Sequence, residues 1–361
     1  MPDAEPRAAT DNETEFTTST DMPSLRARLI NTLLRFTVKP LWRPGLTVDT
    51  IRRHTARTDA RLGRRRVDCV TESITIAGVP ATWYGAPDLA GRNGTLLYLH
   101  GGAWCVHLPG MYGAIAARLS AATGMRVLLV DYRLAPEHRF PAAVDDCLAV
   151  YRALVAGPTG RPRVIAGDSA GGNLALVTLM QARDAQLPLP ACAVLLSPAT
   201  DISMSGPSIR YNAKADPMFS ADAGDLLPDL YCPGLERTLP LISPLHGDWT
   251  GLPPLYFLAG STEMLLDDSV RAHDRAQQAG TSSRIDVWPD LPHVFPLFPQ
   301  LPEATQAIRD IVAFIDEHAR SVAALPLSAA PHARLDPAPA SGITAVEPAN
   351  RDMQEREARE R

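Results

Sequence analysis

The sequence predicts a doubly wound α/β fold, in which a mostly parallel sheet lies between layers of helices. From about residue 70 onward, short apolar runs alternate with stretches of helix length. Strands that are buried on both faces of a parallel sheet have this continuous apolar character. The chain has 361 residues, of which 45% are hydrophobic and 21% are charged. That is enough apolar material to bury one large α/β core with appended segments.

The elements of this core begin with two short runs divided by Gly78, which predict an antiparallel pair of strands at Ser73–Ala77 and Ala81–Tyr84. Parallel strands are then expected at Thr95–Leu99, Arg126–Asp131, Arg163–Ala166, Cys192–Leu196, Leu255–Ala259 and Arg284–Trp288. Helices are expected between them at Tyr112–Ala122, Ala142–Ala156, Asn173–Ala185 and Asp268–Ala279.

The two ends of the chain differ in composition from its centre. Residues 1–22 are rich in Thr, Asp and Glu, and residues 324–361 are rich in Ala, Pro, Arg and Glu. Chain of this composition cannot bury a core of its own. We therefore predict a disordered tail at each end of a catalytic domain that spans residues 67–323.

The segment 23–66 carries apolar residues at helical spacing, with Arg26 and Arg28 between the first of them. These apolar residues are Leu25, Leu29, Ile30, Leu33, Leu34 and Phe36. The pattern predicts helices that cover part of the main domain. A basic amphipathic helix can also lie on a membrane surface, so weak membrane contact through residues 23–37 is a second interpretation.

Charge and cysteine usage exclude several classes of function. The formal net charge is −5, whereas proteins that bind nucleic acid usually carry an excess of positive charge. No nucleic-acid partner is therefore expected. The five cysteines are odd in number and form no C-x-x-C pair, which argues against a zinc site and favours a reducing compartment. The first residues lack the basic start and apolar run of a signal peptide, and no run of 18 apolar residues occurs. The expected location is therefore the cytoplasm.

A G-x-S-x-G pattern at Gly167–Gly171 predicts a serine nucleophile at Ser169. An apolar strand precedes the pattern and a helix follows it, which is the context that a nucleophile turn requires. Such a turn strains the backbone at the serine and pushes its hydroxyl out at the carboxyl end of the sheet. A glycine-rich turn that merely starts a helix is the alternative interpretation.

A second glycine turn, after the strand Thr95–Leu99, predicts an oxyanion hole. It contains Gly101 and Gly102, whose main chain could approach a substrate closely. Backbone N–H groups that converge on a developing oxyanion each contribute roughly 3–4 kcal/mol. We assign these donors to Gly101, Gly102 and Ala170. His100 and Asp168 are expected to support this loop rather than to act as the base.

A serine nucleophile needs a base and an orienting carboxylate, which follow it in the order acid, then histidine. His293, just past the last predicted strand, is the expected base. Glu263 lies nearest the end of the preceding strand and is the preferred acid, with Asp267 left open as the alternative. The remaining candidates in this half of the chain are interpreted as structural or surface histidines: His246, His273 and His318.

These motifs together resemble the hormone-sensitive-lipase branch of the α/β-hydrolases, which includes bacterial carboxylesterases. The resemblance spans roughly residues 70–320. It rests on five groups of residues, in this order: His100-Gly101-Gly102-Ala103, Asp131–His138 with Phe140, Gly167–Gly172, Ser197-Pro198 with Asp201, and His293.

The resemblance implies an eight-stranded sheet under a helical cap built from the N-terminal segment and residues 203–232. It implies no metal or organic cofactor, and a small-molecule ester of short to medium acyl chain as the substrate. A homodimer is common in the family. The family often has glycine where this chain has Ala103, and aspartate where it has Glu263.

Two other classes of function share this fold. An amidase or deacetylase would use the same residues on a different leaving group. A non-catalytic receptor would bind a small ligand without turnover, although such receptors have lost the histidine that this chain retains as His293.

Overall fold

The structure, a computed structural model, describes residues 17–18, 22–42, 45–62, 69–85, 94–157 and 161–319. The disordered tails predicted at 1–22 and 324–361 therefore lie outside the described residues, apart from 17, 18 and 22. No helix in the described ranges is long and apolar enough to cross a bilayer.

A nine-stranded sheet forms the centre of the described chain, with strand order β1-β9-β8-β7-β6-β4-β5-β3-β2. The strands are β1 (Thr17–Thr18), β2 (Val70–Ile76), β3 (Val79–Gly85), β4 (Thr95–Leu99), β5 (Arg126–Val130), β6 (Val164–Asp168), β7 (Cys192–Leu196), β8 (Leu255–Gly260) and β9 (Ser283–Trp288). Strands β2 and β3 pair antiparallel with each other, and β3 pairs antiparallel with β5. All the other pairs are parallel.

The eight strands from β2 to β9 confirm the predicted eight-stranded, mostly parallel sheet. The two-residue strand β1 departs from the prediction, because Thr17 and Thr18 pair with Asp286 and Val287 of β9. These two β-branched residues lie in the segment predicted to be disordered. Strand pairing satisfies their backbone groups even though the segment has few apolar side chains.

Nine α-helices accompany the sheet in the described part of the chain. They are α1 (Leu25–Thr37), α2 (Val48–Leu62), α3 (Pro109–Thr123), α4 (Ala142–Ala156), α5 (Ala170–Asp184), α6 (Ser208–Tyr211), α7 (Ala223–Tyr231), α8 (Leu266–Gln278) and α9 (Pro302–Ala319). Single 3₁₀ turns occur at Lys39–Trp42, Pro244–His246 and Phe295–Leu297. Helices α1 and α2, and α6 and α7, lie in the two segments that the resemblance assigns to the cap.

The core lies on both faces of the sheet, which explains the continuous apolar runs of the central strands. In β4, Leu97 and Leu99 belong to one buried cluster while Leu96 and Tyr98 belong to the other. Each of these side chains is fully buried. Alternate residues of a strand point to opposite faces, so a strand covered by helices on both sides is apolar throughout.

The parallel strands also decide where chemistry can occur. The segments that follow β4, β6, β7, β8 and β9 leave the sheet at one edge, because parallel strands have their carboxyl ends together. In open α/β sheets this edge is where ligands bind. The predicted site residues lie at these strand ends or in the segments that follow them.

Candidate active site

Ser169 lies at the sharp turn between β6 and α5, in a strained conformation with φ +51° and ψ −119°. The turn admits no side chain at the flanking glycines. A Cβ on Gly167 would meet the carbonyl oxygen of Gly171 at 2.3 Å, and one on Gly171 would meet that of Leu99 at 2.0 Å. The two glycines therefore permit the conformation that presents Ser169 at the sheet edge.

His293 and Glu263 form a buried hydrogen-bonded pair near this turn. Nδ1 of His293 lies 2.8 Å from Oε2 of Glu263, and both side chains are almost fully buried. If Nδ1 carries the proton, Nε2 holds the lone pair. Within the described residues Nε2 has no hydrogen-bond partner, and His293 lines the same cavity as Ser169. This arrangement leaves a base free to act inside that cavity.

Burial and charge act in opposite directions on His293. Burial lowers the pKa of its imidazole, but the charge and hydrogen bond of Glu263, with the charges of Asp216 and Asp168, raise that pKa above its ordinary value. An imidazolium that forms during a reaction would be stabilised by the same carboxylates.

The alternative acid, Asp267, is engaged elsewhere. Its carboxylate accepts hydrogen bonds from the backbone N–H of Ser208, at 2.6 Å, and from the hydroxyl of Tyr211, at 3.0 Å. It therefore joins α8 to α6. The geometry pairs His293 with Glu263, the preferred acid.

The three other candidate histidines lie away from this cavity, as expected. His246 faces Asp201 at 3.4 Å, and His273 bonds the hydroxyl of Ser283 at 2.7 Å. His318 bonds the carbonyl of Phe314 within α9 at 2.9 Å.

Gly101 is not available as an oxyanion donor, which corrects the assignment made from the sequence. Its N–H donates to Oδ1 of Asp168 at 3.0 Å. A Cβ on Gly101 would also meet Oδ2 of Asp168 at 2.2 Å, so the loop packs directly on that carboxylate. The turn continues through Gly102 and Ala103, both with positive φ, and these residues line the cavity with Ser169. We therefore assign the donors to the amides of Gly102, Ala103 and Ala170.

Asp168 anchors the glycine loop to the sheet, which agrees with its expected supporting role. Besides the Gly101 amide, it accepts hydrogen bonds from the hydroxyls of Tyr98, at 2.9 Å, and Tyr112, at 3.4 Å. Burial raises its pKa to about 6, against the opposing effect of these hydrogen bonds and of His293.

His100 is also structural. Its Nδ1 lies 2.7 Å from the carbonyl oxygen of Gly101, and its ring stacks between His107 and Tyr132. Burial, followed by the charge of His107, lowers the pKa of His100 to about 3. The imidazole is therefore neutral at working pH, and its contact with the Gly101 carbonyl holds the loop.

Among the described residues, one group of three side chains brings potential metal-ligand atoms within 4.8 Å of one another. The group consists of His100, His107 and Asp131. The two imidazole rings are stacked, with centroids 4.4 Å apart and planes 14° apart. Imidazole lone pairs lie in the ring plane, so stacked rings do not converge on an ion at about 2.0–2.1 Å. The ring geometry does not suit a metal centre.

Two adjoining cavities reach Ser169. The larger, about 190 Å³, is walled by the N-terminal helices together with Met218, Phe219 and His293. The smaller, about 40 Å³, is walled mainly by apolar side chains, among them Ile202, Met204 and Leu227. Phe219 lines both cavities and packs edge-on against His293 with ring centroids 5.0 Å apart. The predicted cap segments thus contribute side chains to the walls of the site.

Two residues in the site were not identified from the sequence as functional. Ser197 donates to Oε1 of Glu263 at 2.7 Å and accepts the N–H of Val294 at 3.1 Å. Asp216, fully buried, accepts the N–H groups of Met218, Phe219 and Met264. Ser197 belongs to a recognised Ser-Pro motif, but only the fold shows what its hydroxyl touches. No local sequence signal marks Asp216.

Comparison with known proteins agrees with this geometry. The family model described as alpha/beta hydrolase fold matches residues 96–297. An acetyl-hydrolase of Streptomyces hygroscopicus is 40% identical over 247 residues, which cover 67% of this chain and 81% of that protein. A carboxylesterase/phospholipase of Mycobacterium tuberculosis is 33% identical over 306 residues, covering 81% of this chain and 82% of that protein.

Solved structures give the same result. The crystal structure of an esterase from the bacterial hormone-sensitive lipase family superposes with a TM-score of 0.75 at 37% identity, and the match covers 83% of this chain and all of the other. The chain therefore belongs to the α/β-hydrolase family, within its hormone-sensitive-lipase branch of bacterial esterases.

Proposed function

We propose that this protein is a serine carboxylesterase that hydrolyses short- to medium-chain esters through an acyl-enzyme on Ser169. The observation that carries the proposal is the buried pair of His293 and Glu263, whose free Nε2 shares a cavity with Ser169. The relatives named esterase, acetyl-hydrolase and carboxylesterase support the same reaction.

The reaction follows from the positions of these groups. The Oγ of Ser169 attacks the ester carbonyl carbon while Nε2 of His293 takes its proton, and Glu263 stabilises the imidazolium. The amides of Gly102, Ala103 and Ala170 bind the oxyanion. The imidazolium then protonates the leaving alcohol, and a water repeats the sequence to release the acid and free Ser169.

The size of the cavities supports a small substrate. The two cavities, of about 190 and about 40 Å³, meet at Ser169 and accommodate a small acyl group with an alcohol portion of moderate size. The lining is largely apolar, which favours uncharged esters.

An amidase or deacetylase activity on the same residues is the second candidate. The relative named acetyl-hydrolase makes an acetyl group a reasonable acyl portion for either reaction. Matched acetyl ester and acetyl amide substrates separate the two candidates. A receptor without turnover is disfavoured by the intact His293–Glu263 pair.

The partner and location belong to the proposal as well. We expect a small ester as the ligand, a homodimer as the assembly and weak contact of residues 23–37 with a membrane surface. We propose the cytoplasm as the compartment, because all five cysteines are free and four of them are buried.

The test is a series of initial rates on p-nitrophenyl esters from acetate to palmitate, with folded Ser169→Ala alongside. The proposal predicts turnover of the shorter esters that is lost in the variant. Equal rates for the variant and the wild type, or no turnover of any ester by the wild type, would contradict it.

A further inference from the structure

Five large apolar side chains stand in solvent along one side of α1 and the residues that lead into it. They are Met22, Leu25, Leu29, Leu33 and Phe36, which are 77%, 76%, 70%, 60% and 78% exposed. No other large hydrophobic residue in the described ranges is as exposed. The spacing of three or four residues places Leu25, Leu29, Leu33 and Phe36 on one line of the helix, and Met22 lies just before its first turn. These five residues are named here the α1 stripe.

The opposite side of α1 faces the site. Ala27 and Leu34 are buried against the domain, and Leu34, Thr37 and Val38 line the larger cavity that reaches Ser169. One helix therefore separates the α1 stripe from the substrate cavity. A surface that contacts the stripe lies within one helix diameter, about 10 Å, of that cavity.

Positive charge borders the α1 stripe. Helix α1 contains Arg26, Arg28 and Arg35 and no acidic residue. Arg26 and Arg35 donate to backbone carbonyls of the domain. None of the three arginines forms an ion pair with an acidic residue that the structure describes. The long side chain of Arg28 can reach outward to anionic head groups while the apolar line enters the acyl region. Arg26 and Arg35 are held at the domain surface and attract such head groups through their charge alone.

We propose that the α1 stripe docks on an anionic lipid surface and that the cavity takes ester substrates from that surface. The apolar line supplies the insertion and the three arginines supply the attraction, at about 1 kcal/mol for each charge near an anionic leaflet. An uncharged lipid surface or an uncharged protein surface would offer these arginines no negative charge to pair with. The substrate part rests on the proposed ester hydrolysis, whereas docking does not.

The experiment is vesicle flotation of the full chain with phosphatidylcholine alone and with phosphatidylcholine containing phosphatidylglycerol. The test variant is Leu25→Gln/Leu29→Gln/Leu33→Gln, which keeps helix-forming residues on an exposed face. The matched control is Leu235→Gln/Leu239→Gln/Leu241→Gln, three exposed leucines on another part of the surface. Rates on a soluble p-nitrophenyl ester and on the same reporter carrying a chain embedded in the vesicles are measured for each protein.

Docking predicts that the wild type and the control float with the anionic vesicles, and that the test variant binds them at least about tenfold less. The test variant keeps its rate on the soluble ester and loses rate on the embedded one. Unchanged flotation of the test variant, or no flotation of the wild type, would overturn the proposal.

The oligomeric state, measured by light scattering, tests a second copy as the occupant. A wild-type dimer that the test variant dissociates, without vesicle binding, would assign the α1 stripe to a second copy and also overturn the proposal. If the wild type floats with the vesicles but hydrolyses no ester, the proposed function is overturned and the docking proposal is not.

Discussion

Ser197 donates a buried hydrogen bond of 2.7 Å to Oε1 of Glu263, on the side of the carboxylate away from His293. The same hydroxyl accepts the N–H of Val294, the residue after the histidine. One side chain at the end of β7 thus connects the acid loop after β8 with the histidine loop after β9. Ser197 itself has a positive φ of 47°, so the turn directs its hydroxyl at some backbone cost.

We predict that Ser197→Ala lowers kcat about tenfold or more with little change in KM. A hydrogen bond to a charged group contributes about 1.5–3 kcal/mol, and its loss lets the carboxylate and imidazole depart from their alignment. The measurement is steady-state kinetics on a short p-nitrophenyl ester. Ser120→Ala removes another buried serine hydroxyl, one that bonds the carbonyl of Met125 far from the site, and is the matched control. Equal kinetics for the two variants would remove Ser197 from the positioning role.

The raised pKa of His293 predicts the acid limb of the pH–rate profile. The imidazole must be neutral to accept the Ser169 proton, so kcat/KM falls as the pH drops through the pKa of the free enzyme. Because Glu263 raises that pKa, the limb should lie above the ordinary value of 6.5. Glu263→Gln removes the negative charge, so the limb should move to lower pH while the maximal rate falls. A limb that stays in place would show that another group titrates.

Asp168 predicts a separate effect of pH on stability. Its pKa is about 6 in the folded chain against an ordinary 3.8, so the folded state binds the proton more tightly. The contribution of this group to the free energy of unfolding is therefore fully present at low pH and is lost as the pH rises through this window.

The variant Asp168→Asn keeps an acceptor for Tyr98 and for the Gly101 amide but cannot ionise. We expect its free energy of unfolding, measured by denaturant titration, to lose less between about pH 4 and pH 6 than that of the wild type. If the free energy of unfolding changes with pH in the same way for the two proteins, the pKa of Asp168 is not raised in the folded chain.

Phe219 predicts the acyl-length profile, because its ring belongs to the walls of both cavities at Ser169. Phe219→Ala should join them, so that kcat/KM for octanoate rises about tenfold relative to acetate. Met218→Ala is the matched control, since Met218 lines only the larger cavity. If the profiles shift equally in both variants, general loosening of the cap determines the preference for acyl chain length, and the Phe219 ring between the two cavities does not.

The sequence predicts most of the fold because the central strands are buried on both faces. The strands Thr95–Leu99 and Cys192–Leu196 have the predicted bounds, because turn residues on both sides of a continuous apolar run mark where the strand begins and ends. The strand at Thr17–Thr18 could not be predicted in this way. Its polar segment has no periodicity, and only the neighbouring strand β9 gives it a partner.

At the site, the sequence predicts the residues that strand ends bring together. Chain order and distance from a strand end selected Glu263 over Asp267, and their hydrogen bonds agree with that preference. The Gly101 assignment failed because a side chain 67 positions away takes its amide, and local spacing carries no information about such a bond. The role of Ser197 could not be predicted for the same reason, because its partners Glu263 and Val294 lie 66 and 97 positions away along the chain.

The most direct test of the central claim is a rapid-mixing experiment with p-nitrophenyl acetate, followed by acid quench and peptide mass mapping. An acyl-enzyme on Ser169 predicts a burst of nitrophenol and an acetyl group on the peptide that contains Ser169. Both should be absent in Ser169→Ala. Label on any other residue, or turnover without a covalent intermediate on Ser169 under trapping conditions, would contradict Ser169 as the nucleophile.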